Sequence, residues 1–213
     1  MSHLLEDIEP LLPASFFTYS FKLAKKESLP KDPYHSPYLL PDYSDLLDEE
    51  AFADVAMCFD KRGIEARVFV EKTFEDVSFP KVQAGDSIEL FFDTRDYKGA
   101  STVTKFCHHF VFLPKDVGEL TACEITKFRG DDTRELADPK LLSCETTFKK
   151  DSYEMRIFID NEALYGFDPS QFKRLGFAYR INRKRKHPQH FTASTREFQI
   201  ERFPSVWATL QLK

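Results

Sequence analysis

Along most of this chain apolar residues recur at every second position, the period of a strand with one buried face. In FADVAMCFD (52–60), Val55, Met57 and Phe59 share one side. After the turn Asp60-Lys61-Arg62-Gly63, IEARVFVE (64–71) sets Ile64, Ala66, Val68 and Val70 opposite Glu65, Arg67, Phe69 and Glu71. That pattern predicts a hairpin. DSIELFFDT (86–94) aligns Ile88, Leu90 and Phe92, and KFCHHFVFL (105–113) aligns Phe106, His108, Phe110 and Phe112. Residues 114–142 are charged and broken by Gly118, Gly130 and Pro139, which predicts a long irregular excursion. Strands resume at CETTFKK (144–150) and at YEMRIFID, which begins at Tyr153. A short turn around Asn161–Leu164 leads to the strand Arg174–Asn182, with Leu175, Phe177, Tyr179 and Ile181 on one side. HFTASTREFQIE (190–201) and VWATLQL (206–212) are the last expected strands.

Short strands with few helical windows predict an all-β domain over residues 51–213. The expected form is a two-sheet antiparallel β-sandwich of jelly-roll or immunoglobulin-like type. Residues 1–50 read differently. SFFTYSFK (15–22) is a candidate strand, but Pro30, Pro33, Pro37 and Pro41 follow it. Proline fixes φ and removes backbone donors, so this is an irregular segment. Tyr34, Tyr38, Leu39, Leu40 and Tyr43 are expected to pack it against the body.

Composition supports a filled core, with 22 Phe beside a single Trp, Trp207. The net charge of −5 argues against a domain-wide surface for nucleic acid or an anionic membrane. No apolar run reaches the roughly 18 residues of a spanning helix, and the N-terminus has no signal-peptide pattern. A soluble cytoplasmic protein with free thiols is therefore expected. Cys58, Cys107, Cys123 and Cys144 form no CxxC pair. His108 and His109 point to opposite faces of a strand and cannot share one ion. No metal-ligand set is assigned. Nucleophile-elbow, phosphate-loop and HExxH motifs are absent, so the chain is read as non-enzymatic.

The main charge cluster is Arg183, Lys184, Arg185 and Lys186, between two expected strands. It is either a solvated hairpin tip or a docking loop for an acidic or phosphate-bearing partner. Glu89, Asp93 and Arg95 alternate along one strand and its end, which places them on one face.

Three segments, GDSIELFFDTR, YEMRIFIDNEALYGFDPSQFKRLGFAYRIN and FPSVWATLQL, stand in an order and spacing that resembles the family 9 carbohydrate-binding modules and their DOMON-like relatives. The resemblance spans about residues 52–213. It implies a β-sandwich whose loops and concave face bind a saccharide, with a structural calcium nearby. On that reading Glu89, Asp93, Arg95, His109, Arg180 and Asn182 are the polar ligand contacts, with Arg95 and Asn182 at matching motif positions. Family members clamp the sugar ring between two tryptophans, whereas Trp207 here matches a framework aromatic. Asn182-Arg183 also stands where the family often has Asn-Asp. Two functions therefore stay open. One is a binding module for a saccharide or sugar-bearing ligand. The other is an interaction module of the same fold that has lost the sugar and uses the basic loop.

Overall fold

The computed structural model describes residues 19–100 and 102–213. The part of the first candidate strand at 15–18 lies outside these residues. Eleven strands carry the described chain: β1 (Ser20–Lys25), β2 (Ala53–Asp60), β3 (Gly63–Val70), β4 (Ser87–Asp93), β5 (Cys107–Val117) and β6 (Leu120–Glu124) come first. They are followed by β7 (Leu142–Phe148), β8 (Tyr153–Asp160), β9 (Arg174–Asn182), β10 (Gln189–His190) and β11 (Ala208–Leu212). The α-helix of the described chain is one turn, α1 (Ser44–Leu47). The fold is all-β, as the alternation predicts.

The strands form one hydrogen-bonded path, β6-β5-β4-β9-β11-β1-β2-β3-β8-β7, with β10 beside β9. Its centre is β1. Ser20–Leu23 pair with Thr209–Leu212 of β11, and Ala24 and Lys25 then pair with Cys58 and Phe59 of β2. Both pairings are parallel, which corrects the expectation of a purely antiparallel arrangement. The other ladders are antiparallel.

The period-two faces meet in one core. Ile88, Leu90 and Phe92 of β4 and Phe177, Tyr179 and Ile181 of β9 join Val55, Met57 and Phe59 of β2 and Ile64, Ala66 and Val68 of β3. Strand β8 adds Met155, Ile157 and Ile159, each fully buried. Burial of such side chains stabilises by roughly 1.5–3 kcal/mol each before entropy is counted. The β2–β3 hairpin depends on Gly63, whose φ is +148° and where a Cβ would lie 2.0 Å from the Ile159 carbonyl oxygen.

Two segments depart from the predicted pattern. Residues 114–117 continue β5, and Gly118 and Glu119 turn the chain into β6 with φ of +58° and +72°. Two successive positive φ values match the right-handed twist of a tight hairpin, which is why a charged stretch still makes strands. Conversely, the expected strand 190–201 is limited to β10 and a series of turns. There the side chains of His190, the last residue of the β10 ladder, and of Ser194 bond to Glu49, at 2.7 Å through Nδ1 and 2.9 Å through Oγ. Such side-chain bonds compete with sheet pairing. Among the described residues no helix is long and apolar enough to cross a membrane.

Candidate functional site

Strand β4 is buried on both faces. Its odd-numbered residues point away from the main core onto an outer surface shared with β5 and β9. Register places Glu89 opposite Arg180 and Phe91 opposite both His109 and Ala178. This surface is the base of a cavity of about 640 Å³, lined by Glu89, His109 and Arg180. The 3₁₀ turn Val82–Ala84, the segment 125–129 and the pair Glu201-Arg202 form its walls.

Glu89 is the centre of the base. Arg180 grips its carboxylate in a bidentate pair, Nε to Oε1 at 2.7 Å and Nη2 to Oε2 at 2.8 Å. Asn182 Nδ2 donates to Oε1 at 2.6 Å and also to Ser87 Oγ at 3.0 Å. The fourth bond links His109 Nε2 to Oε2 at 2.7 Å. Burial alone would raise the Glu89 carboxyl, but the bonds from His109 and Arg180 outweigh it and hold the pKa at about 2. Glu89 is therefore an anion whose charge is matched in place. The remaining Arg180 nitrogen, Nη1, faces Glu201 Oε2 at 3.7 Å, too far for a hydrogen bond. That Glu201 oxygen is buried and has no hydrogen-bond partner among the described residues.

Apolar packing holds this base from beneath. The His109 ring stacks on Phe91 at 4.2 Å between centroids, and Phe91 rests on Trp207 at 5.7 Å. Trp207 Nε1 donates to the Ile200 carbonyl at 2.8 Å, fixing the residue next to Glu201. Trp207 is thus a framework residue of a second apolar cluster, with Phe91, Ala178 and Val206. Phe128 is the aromatic ring in the cavity lining.

Of the six expected contacts, Glu89, His109, Arg180 and Asn182 form this one network, while Asp93 and Arg95 lie outside the cavity. Asp93 accepts from the backbone N–H groups of Arg95 at 2.9 Å and Tyr97 at 2.8 Å, closing the turn after β4. Burial raises its pKa. The Arg95 guanidinium lies over Phe106 at 4.3 Å and Phe172 at 3.8 Å and donates to the Gly166 carbonyl at 2.6 Å. Side chains separated by two residues share a face only while the strand lasts, and β4 ends at Asp93.

His108 belongs to a separate buried cluster with Glu124 and Arg134. Arg134 Nη2 lies 2.6 Å from His108 Nδ1 and 2.5 Å from Glu124 Oε1. Nδ1 also lies 3.2 Å from Glu124 Oε1, and Nε2 lies 3.4 Å from the Tyr165 carbonyl oxygen. Burial lowers the His108 pKa, which favours the neutral ring. Burial would raise Glu124, but bonds from Arg134 above all bring it down to about 2.

The basic loop is partly neutralised. Arg183 is buried, over Phe52 at 5.6 Å and 3.6 Å from Glu75; Lys184 pairs with Asp76 at 2.8 Å. Arg185 and Lys186 are exposed beside Asp48, Glu49 and Glu50.

The resemblance implies a structural calcium. Among the described residues no group of three or more His, Cys, Asp or Glu side chains is placed to hold a metal ion. The acidic corner at Asp93 and Asp96 has its own cation: Lys98 Nζ lies 2.7 Å from Asp96 Oδ1 and donates to the Trp207 carbonyl.

The walls were not legible in the sequence. Lys127, Phe128, Arg129, Glu201 and Arg202 stand in irregular segments far apart along the chain. Their only signal is a local density of charge.

No protein-family profile matches the sequence, and no curated protein sequence does. Solved structures do match. A carbohydrate binding module of family 9 from Caldicellulosiruptor kristjanssonii, in complex with cellotriose, superposes with a TM-score of 0.64 at 14% identity, covering 91% of this chain and 93% of that one. The same organism's family 9 module in complex with glucose gives 0.60 at 13% identity, covering 91% and 95%. A Bacteroides uniformis protein gives 0.53 at 12% identity, covering 92% and 99%. The chain has a family 9 carbohydrate-binding-module-like fold.

Proposed function

We propose, from the fold shared with family 9 carbohydrate-binding modules, that this chain is a non-catalytic module that binds a saccharide. In this reading the strand path folds at β1 into a two-layer sandwich, and the ligand occupies the cavity on the outer face of β4, β5 and β9. The observation that carries the reading is the bidentate Arg180–Glu89 pair, buried at the base of an open cavity. Polar groups held rigidly in place can bind sugar hydroxyls without reorganising, and about 640 Å³ falls in the range of small-ligand sites. His109 and Arg180 contact the ligand, Glu89 orients both, and Asn182 positions Glu89. A carboxyl held at about 2 is a poor proton donor at neutral pH, so Glu89 does not suit the general-acid role of glycoside cleavage.

Structures of the fold solved with cellotriose and glucose support the ligand class. The interaction reading draws less support, since Arg183 and Lys184 already have acidic partners. Calorimetric titration with glucose, cellotriose and other mono- and oligosaccharides tests the proposal. Binding that Arg180→Met abolishes is the expected result. No heat and no thermal shift at millimolar ligand with any sugar would sink it.

A further inference from the structure

The charge around this cavity is lopsided. Lys81, Lys127, Arg129 and Arg202 stand on its walls, and Arg180 lies at its base. Only Glu89 and Glu201 oppose them, leaving an excess of three positive charges in a protein whose net charge is −5. The four wall cations are exposed, and none forms an ion pair or side-chain hydrogen bond among the described residues. Glu89 cannot compensate them, because its charge is already matched by the bidentate Arg180. A concave site of one sign concentrates its field and favours ligands of the opposite sign. Conserving a neutral sugar's fit needs no such excess.

Resting on the saccharide reading above, we propose that the cavity selects an acidic saccharide, one bearing a carboxylate or a phosphate. The polar base takes the hydroxyls. The wall cations take the anionic group, with Arg129 and Arg202 suited to bidentate bonds to carboxylate or phosphate oxygens. The Phe128 ring offers an apolar surface between the charged groups.

Titration of the whole chain with glucose, glucuronic acid, glucose 6-phosphate and inorganic phosphate tests this, at about 20 mM and about 300 mM salt. At low salt at least one sugar acid should bind roughly tenfold or more tighter than glucose, which is about 1.4 kcal/mol. That advantage should shrink several-fold at high salt. In the Arg129→Gln/Arg202→Gln variant the ratio of acid to glucose affinity should fall toward one. Preference for glucuronic acid over glucose 6-phosphate identifies a carboxylate ligand, and the reverse a phosphate ligand; either supports the proposal. Equal affinity for glucose and both acids would overturn acid selection and leave sugar binding standing. Inorganic phosphate binding as tightly as glucose 6-phosphate would overturn the proposal, since the sugar would then add nothing. Failure of every sugar, neutral and acidic, would remove the saccharide reading itself. Salt dependence of the unaltered protein decides the matter even if the variant does not fold.

Discussion

Arg180 and Glu89 face each other across adjacent strands, joined by two hydrogen bonds of 2.7 and 2.8 Å with almost no solvent on either side chain. A buried pair contributes little net stability when intact, but losing one member leaves an unmatched charge in the interior. Arg180→Met should therefore destabilise the fold by about 3–5 kcal/mol. The Arg180→Met/Glu89→Leu double variant should recover a large part of that loss. Urea unfolding of the three proteins reads this directly. Equal stability of the single and double variants would contradict it.

Acid should weaken the fold in two stages. Burial lowers the folded pKa of His108, so the unfolded chain takes up a proton first and stability falls as pH drops below the ordinary value near 6.5. Glu89 and Glu124 are held at about 2, below the ordinary 4.5. Their stabilisation is complete above 4.5 and is lost as pH falls toward 2. Asp86 and Asp93, raised by burial, act in the opposite sense and soften the second stage. Urea midpoints between pH 8 and about 3 should show both declines, and His108→Gln should remove the first.

Trp207→Phe should keep the fold and loosen one wall of the cavity. It removes the 2.8 Å bond to the Ile200 carbonyl, worth about 1 kcal/mol. Hydrogen exchange over residues 198–203 should speed up, and saccharide affinity should drop because Glu201 and Arg202 lose their fixed position. Unchanged exchange in that segment would show that Trp207 does not hold it.

Gly63→Ala tests the β2–β3 turn. The new Cβ would lie 2.0 Å from the Ile159 carbonyl oxygen, so β3 and β8 must separate. A loss of at least ~3 kcal/mol in thermal or urea unfolding is expected, beyond the usual range for surface substitutions. A stability within about 0.5 kcal/mol of the parent would show that the turn relaxes.

Arg95→Lys tests the clamp beyond β4. A lysine keeps the charge but not the flat group that lies 4.3 and 3.8 Å from two rings. A loss of about 1–2 kcal/mol in urea unfolding is expected. No loss would mean that charge alone holds the Gly166 carbonyl.

Alternation made the core of this fold legible. Ile88, Leu90 and Phe92, and Leu175, Phe177, Tyr179 and Ile181, are all buried in the main core as their spacing predicts. Glu89 and Arg180 could be placed on strands, but not opposite one another, because register depends on pairing rather than on local pattern. The parallel pairing of β1 left no trace in SFKLAK, since a strand looks the same whichever way its neighbour runs. The cavity walls were hidden for a stronger reason. Lys127, Arg129 and Arg202 meet only because β5, β6 and the turn before β11 converge, and exposed loop residues carry no periodicity.

The seam at β1 bears on how the molecule is made. A ribosome releases β1 first among these strands and β11 last, and the two must zip together over Ser20–Leu23 and Thr209–Leu212. Until then one edge of β1 carries unpaired N–H and C=O groups in a nascent chain rich in phenylalanine. Closing so distant a contact is slow. The last of these strands to be synthesised is therefore the one that completes the sheet, and a chain stalled before it presents an open edge to whatever chaperone or neighbour reaches it first.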